Sequence, residues 1–254
     1  MLSAFCSVMA IGAPKDFVWF DGNGAVTVNA RNNVSPVTVT AMEMFSEDIR
    51  QVTGMKPVRC AADRAAVRVV QLDRDAAGAR WLRRCGVPVE SIMAVKDAFY
   101  IKVTEGVNGR QLAVAGSDGR GTAYGILELS RLAGVSPWVW WGDVTPEHRS
   151  RLTVPGGYMT FQKPSVEYRG IFLNDEDWSL QPWSWKTFEP LQVKGRIGAK
   201  TYKEIFKPLM RLRANAVWPG MHGITTPFYL IPGAKEVADS CGITIGTSHC
   251  EPMT

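Results

Sequence analysis

The sequence predicts an α/β protein built in two units, and three observations carry that expectation. From Phe17 to about Trp141, short β-branched or aromatic runs alternate with stretches of helical period. Pro155, Gly156 and Gly157 then interrupt the pattern. Beyond them the chain reads strand, long loop, helix, strand, helix, strand, and each strand ends in a group of polar or aromatic residues.

In the first unit, "FVWF" (17–20) and "AVTVNA" (25–30) have the composition of strands. "VTVTAMEMFSEDIRQVTG" is expected to begin extended and turn into a helix, with Ala41, Met44, Phe45 and Ile49 on one face and Gly54 as the stop. "AVRVVQL", "AFYIKVT" and "QLAVAGS" supply three further strands. "DGRGTAYGILELSRLAG" places Ala123, Ile126, Leu127, Leu129 and Ala133 at helical spacing before Gly134. "SPWVWWGDV" follows. Its tryptophans, 138, 140 and 141, are expected on a strand, with Trp138 and Trp140 on one face. They read as an apolar plug between the units in preference to a sugar platform.

The second unit begins with "GIFL" (170–173). In "TYKEIFKPLMRLR", Tyr202, Ile205, Phe206, Leu209 and Met210 form one apolar stripe, which Pro208 should kink. "NAVWPG" is the second strand, "GAKEVADSCG" a helix stopped at Gly242, and "ITIGTSH" the third strand. Strand-helix units of this length imply parallel strands with right-handed crossovers. Their carboxyl ends are then the working face.

Bulk composition removes several classes. With 46% hydrophobic and 21% charged residues among 254, the chain can bury a core and is not disordered. The net charge of +5 is scattered, and Arg80, Arg83 and Arg84 read as a solvated helix face, so no nucleic-acid partner is expected. Five cysteines without a CxxC pair suggest neither a disulfide framework nor a zinc site. His222, His249, Cys250 and Glu251 resemble a metal set, but adjacent strand residues point to opposite faces, and no metal or other cofactor is expected. Residues 1–13 are apolar, with small residues at Ala10 and Ala13, and read as the remnant of an export signal. The expected location is therefore periplasmic or extracellular. No stretch has the length of a membrane span.

The chemistry concentrates after the strands. Asn174, Asp175, Glu176 and Asp177 follow the first; Trp218 to His222 follow the second; Ser248 to Pro252 follow the third. Carboxylates, imidazoles and an aromatic wall at one mouth suit glycoside chemistry, in which carboxyl groups transfer protons on either side of the glycosidic oxygen.

"SDGRGTAYGILELSRLAGVSPWVWWGDV", "YRGIFLNDEDW", "LRANAVWPGMH" and "IGTSHCEPM" resemble the corresponding segments of the xylan α-glucuronidases of glycoside hydrolase family 115, from about Phe17 to the last residue. The resemblance implies a small N-terminal α/β layer domain over 14–157 and, over 158–254, the first β-α units of an incomplete (β/α)8 TIM barrel. It implies inverting hydrolysis of the α-1,2 bond between (4-O-methyl)-glucuronic acid and xylose in glucuronoxylan. Asp175 would be one catalytic carboxyl, with Asn174 and Glu176 beside it. Trp218 would be the wall for the uronic ring, His222 and His249 donors to it, and Glu251 a residue that orients His249 or touches sugar. Because the other barrel strands are missing, the second carboxyl is expected outside these 254 residues. The chain alone is expected to be inactive, and a homodimeric parent is one state to test. The rival reading is a non-catalytic module that binds xylan through Trp178, Trp183 and Trp185.

Overall fold

The computed structural model describes residues 14–175, 177–189, 196–220, 223 and 225–246. The chain runs through β1 (Phe17–Phe20), β2 (Thr27–Ala30), α1 (Pro36–Thr53), β3 (Val58–Arg59), β4 (Val67–Gln71), α2 (Ala76–Arg84), α3 (Val89–Met93), β5 (Phe99–Gly106), β6 (Gly109–Gly116) and α4 (Gly119–Leu132). It continues with β7 (Leu152–Val154), β8 (Met159–Gln162), β9 (Gly170–Phe172), α5 (Leu180–Thr187), α6 (Ala199–Arg211), β10 (Ala216–Trp218), α7 (Ala234–Cys241) and β11 (Thr244–Ile245).

Two local expectations are corrected. α1 is helical from Pro36 onward and does not begin extended. Ser35 accepts from the backbone N–H of Thr38, Pro36 has its ring at the helix start, and the Thr38 hydroxyl donates to Gln71 Oε1 at 2.9 Å. Capping and burial therefore outweigh the β preference of Val-Thr-Val-Thr. The tryptophan segment 137–142 is a succession of turns and not a strand. The expected glycine stops do hold: Gly54, Gly134 and Gly242 all have positive φ.

The large sheet has the order β3-β2-β4-β6-β5-β8. β3, β2, β4 and β6 are parallel, while β5 and β8 join antiparallel. Strand alternation sends Val67, Val69, Ile101 and Val114 into one core and Val70, Tyr100, Ala113 and Ala115 into another. The first core lies against α1 and α4, the second against α2 and α3. β1 and β7 pair separately.

The second sheet has the order β11-β10-β9 and is parallel throughout, as the β-α rhythm predicts. Its helices α6 and α7 pack on α1 and α4, so one continuous core extends from Val28 and Val69 to Phe206, Val217 and Ile243. Charge fixes the same junction. Asp97, buried, accepts from Arg120 at 2.6 Å, Arg169 at 2.7 Å and Asn215 at 3.0 Å. Arg211 forks onto Asp48 with both bonds at 2.7 Å, and Arg213 reaches Glu128 at 2.7 Å. These bonds join the ends of α1 and α4 to the segments entering β9 and β10.

Pro208 lies in the last turn of α6 and has no N–H to give the carbonyl of Glu204. The Trp141 indole N–H takes that place, donating to this carbonyl at 3.2 Å. The aromatic segment and the helix are thus matched partners.

Candidate active site at the carboxyl ends of the parallel strands

β9 and β10 run in register from Gly170 opposite Ala216 to Phe172 opposite Trp218. The backbone N–H of Leu173 extends the ladder to the Trp218 carbonyl at 2.8 Å. The chain then turns, placing Asn174 in solvent and Asp175 inside, with only 1% of its surface exposed. A buried carboxylate needs donors, and Thr225 supplies one at 2.9 Å to Asp175 Oδ1. Thr225 is itself held by Gln181 Nε2 at 3.3 Å, and the neighbouring Thr226 by Arg196 at 2.6 Å. Asp175 therefore ties the loop after β9, the loop after β10 and α5 together.

Gly220 makes this packing possible. A Cβ at that position would lie 2.0 Å from Asp175 Oδ1, so any side chain would push the carboxylate away. Tyr202, fully buried on α6, stacks edge-to-face on Phe228 with centroids 4.8 Å apart. Burial, and then the Asp175 charge, raise its phenol pKa well above the ordinary value, so the hydroxyl stays protonated.

Trp218, 47% exposed, lies with its indole against the backbone of Gly246 just after β11. Its ring is partly accessible at the carboxyl end of β10. Trp178 is 79% exposed on the loop that follows Asp175. α6 has no side-chain cap of its own. The buried Glu189 accepts from the Thr201 N–H at 3.0 Å and so satisfies its first turn.

Asp175, Asn174 and Trp218 thus all lie at the carboxyl ends of β9 and β10. Glu176, His222, His249 and Glu251, and the metal-like set His222, His249, Cys250 and Glu251, lie outside the described residues. Among the described residues no cluster of histidine, cysteine and carboxylate has metal-ligating geometry, and no helix is long and apolar enough to cross a membrane. Sequence reasoning did not reach Thr225, Gln181 and Arg196, and gave Gly220 and Tyr202 no part beside Asp175. Their signal is contact across the fold, between residues up to 50 positions apart.

This arrangement of two sheets recurs among glycosidases. A family 20 exo-β-N-acetylglucosaminidase from Vibrio harveyi matches 92% of the chain with TM-score 0.53 at 9% identity, and a β-hexosaminidase from Streptomyces plicatus matches 92% with TM-score 0.54 at 10% identity. At these identities the likeness is one of fold. The family model of glycosyl hydrolase family 115 matches residues 161–254. The solved family 115 4-O-methyl-α-glucuronidase BtGH115A, described as specific for decorated arabinogalactans, matches 94% of the chain at 44% identity with TM-score 0.83. The chain belongs to glycosyl hydrolase family 115, to its N-terminal part. It spans 30% of the length of BtGH115A, and 34% and 42% of the other two proteins. No curated protein sequence matches it.

Proposed function

We propose that the chain is the N-terminal part of an exported α-glucuronidase that removes glucuronic or 4-O-methylglucuronic acid side chains from a plant polysaccharide. The observation that carries this reading is Asp175, anchored at the carboxyl end of a parallel strand beside Trp218, in a chain 44% identical to a 4-O-methyl-α-glucuronidase. β9, β10 and β11 are read as the first three strands of a (β/α)8 barrel. They are parallel and connected through helices.

Asp175 serves as one of two carboxyl groups. Inversion places its partner roughly 6.5 to 9.5 Å away, which leaves room for the attacking water. That partner is assigned to the part of the longer protein that this chain does not span, so the 254 residues alone are expected to be inactive. Glu176, His222, His249 and Glu251 remain assigned to the sugar. Exposed Trp218 supplies a ring face.

Two polysaccharides compete as substrate. The segments that resemble xylan α-glucuronidases favour glucuronoxylan, whereas the specificity of the 44% identical relative favours uronate-decorated arabinogalactan. Release of the uronic acid by the longer protein from each polymer decides between them. Asp175→Asn is expected to lower kcat by about 10²- to 10⁴-fold without loss of folding. Undiminished turnover in that variant overturns the role of Asp175.

A further inference from the structure

The turn segment 137–142 does more than plug the junction. Trp140 and Trp141 remain 42% and 37% exposed, although each contacts other aromatic rings. Their centroids are 4.8 Å apart at 76°. Trp183 of α5 stacks on Trp141 at 5.5 Å and 30°, and Phe188 meets Trp140 at 5.5 Å. The rings are thus fixed by one another, and Trp141 is fixed also by its bond to the Glu204 carbonyl. Two fixed, partly exposed indoles set at 76° to each other can take a ligand at little cost in side-chain entropy.

These rings line one end of a groove of about 480 Å³ between α1 and α6, within the ~300 to 1,000 Å³ range of ligand sites. Glu43 and Gln51 on α1 face Lys203 and Lys207 on α6 across it. Glu204 also lines the α6 side, paired with Lys207, and Arg211 pairs with Asp48 across the groove, so the lining mixes carboxylate, ammonium and amide groups and suits a neutral ligand rich in hydroxyls, which can accept and donate at once. A polyanion would meet Glu43, Glu47 and Glu204, and a wholly apolar segment would take water from these polar groups without replacing its hydrogen bonds. The described lining of the groove contains none of Asp175, Thr225, Gly220 and Tyr202.

We propose that this groove is a second carbohydrate-binding site, taking an uncharged stretch of polysaccharide main chain on Trp140 and Trp141. The inference rests on the reading of the longer protein as a polysaccharide-acting glucuronidase. It goes beyond that reading by assigning the N-terminal unit a hold on undecorated backbone.

Calorimetric titration of the 254-residue chain with neutral xylo-oligosaccharides and galacto-oligosaccharides tests it. One of the two series is expected to bind. Trp140→Ala is expected to weaken that binding at least tenfold, and the surface variant Glu43→Ala several-fold with the thermal midpoint unchanged. Asp175→Asn is expected to bind as the parent chain does, and free glucuronic acid not to compete. Absence of binding by the folded chain, full binding by both groove variants, or displacement by glucuronic acid each overturns the second site. Uronic acid release by the longer protein is a separate readout, so failure of the glucuronidase reading would show there and not in the groove variants.

Discussion

The two sheets of this chain are stabilised in different ways. The six-stranded sheet is covered on both faces, by α1 and α4 on one side and α2 and α3 on the other. The three-stranded sheet has helices α6 and α7 against its neighbour and, among the described residues, β9 as an edge strand. Its position depends on the first unit through the continuous core and through buried charge at Asp97, Asp48 and Glu128. Two of the positive-φ non-glycine residues, Asp97 and Arg213, sit in this clamp, where backbone strain is offset by over-determined bonding. The lesson is that a site-bearing sheet with few strands of its own can be held by the back of a complete one.

The largest expected effect comes from breaking that clamp. Asp97→Ala leaves Arg120 and Arg169 without their shared carboxylate, and a loss of about 3 to 5 kcal/mol is expected in urea unfolding. Hydrogen exchange should speed in β9 and β10 before it does in β4 and β6. A loss below about 1 kcal/mol would show that apolar packing alone joins the two regions.

Alkaline pH probes the same junction. Burial raises the Tyr124 phenol from 10.0 to about 12, with the Asp97 charge adding to it, and raises the Cys241 thiol from 9.0 to about 11. Both shifts favour the protonated form in the folded state. The associated stability is therefore complete below about pH 9 and is lost as pH rises towards 11 and 12, by up to about 3 kcal/mol for each group. Tyr202 adds a change of the same sign. Tyr124→Phe gives up a bond to the Ala214 carbonyl at 3.1 Å, yet should flatten the alkaline decline of the urea midpoint. An unchanged slope would place the loss elsewhere.

Smaller effects sharpen the contrast at the strand ends. Gly220→Ala puts a methyl onto Asp175 and is expected to cost about 1 to 3 kcal/mol, lowering activity of the longer protein more than its stability. Ile171→Lys on the edge strand β9 should change the stability of this chain by no more than about 0.5 kcal/mol. It should also reduce self-association in sedimentation, because a charged edge resists strand pairing. Stability loss of several kcal/mol there would mean that the edge is already covered.

Much of this could be read from residue order. β4, β5 and β6 were legible because Val, Ile and Tyr alternate between two covered faces. α6 was legible because Tyr202, Ile205, Phe206, Leu209 and Met210 repeat at helical spacing. α1 was read late because four β-branched or capped positions hid a helix start that Ser35, Pro36 and Gln71 jointly fix. The tryptophans of 137–142 carry alternation as their local cue for a strand, while the partner of Trp141 is a carbonyl left free by Pro208, 67 positions further on, and that of Trp140 is Phe188.

By itself the sequence determined the α/β class, the parallel β-α rhythm, the glycine stops and the delivery of Asp175 and Trp218 to strand ends, because periodicity and local sterics act within a few residues. Only the tertiary structure decided that Asp175 is buried under Thr225 against Gly220, that Asp97 clamps two guanidinium groups, and that Trp140 and Trp141 face a charged groove. These are contacts between chain segments tens of residues apart, and they exist only once two sheets share one core.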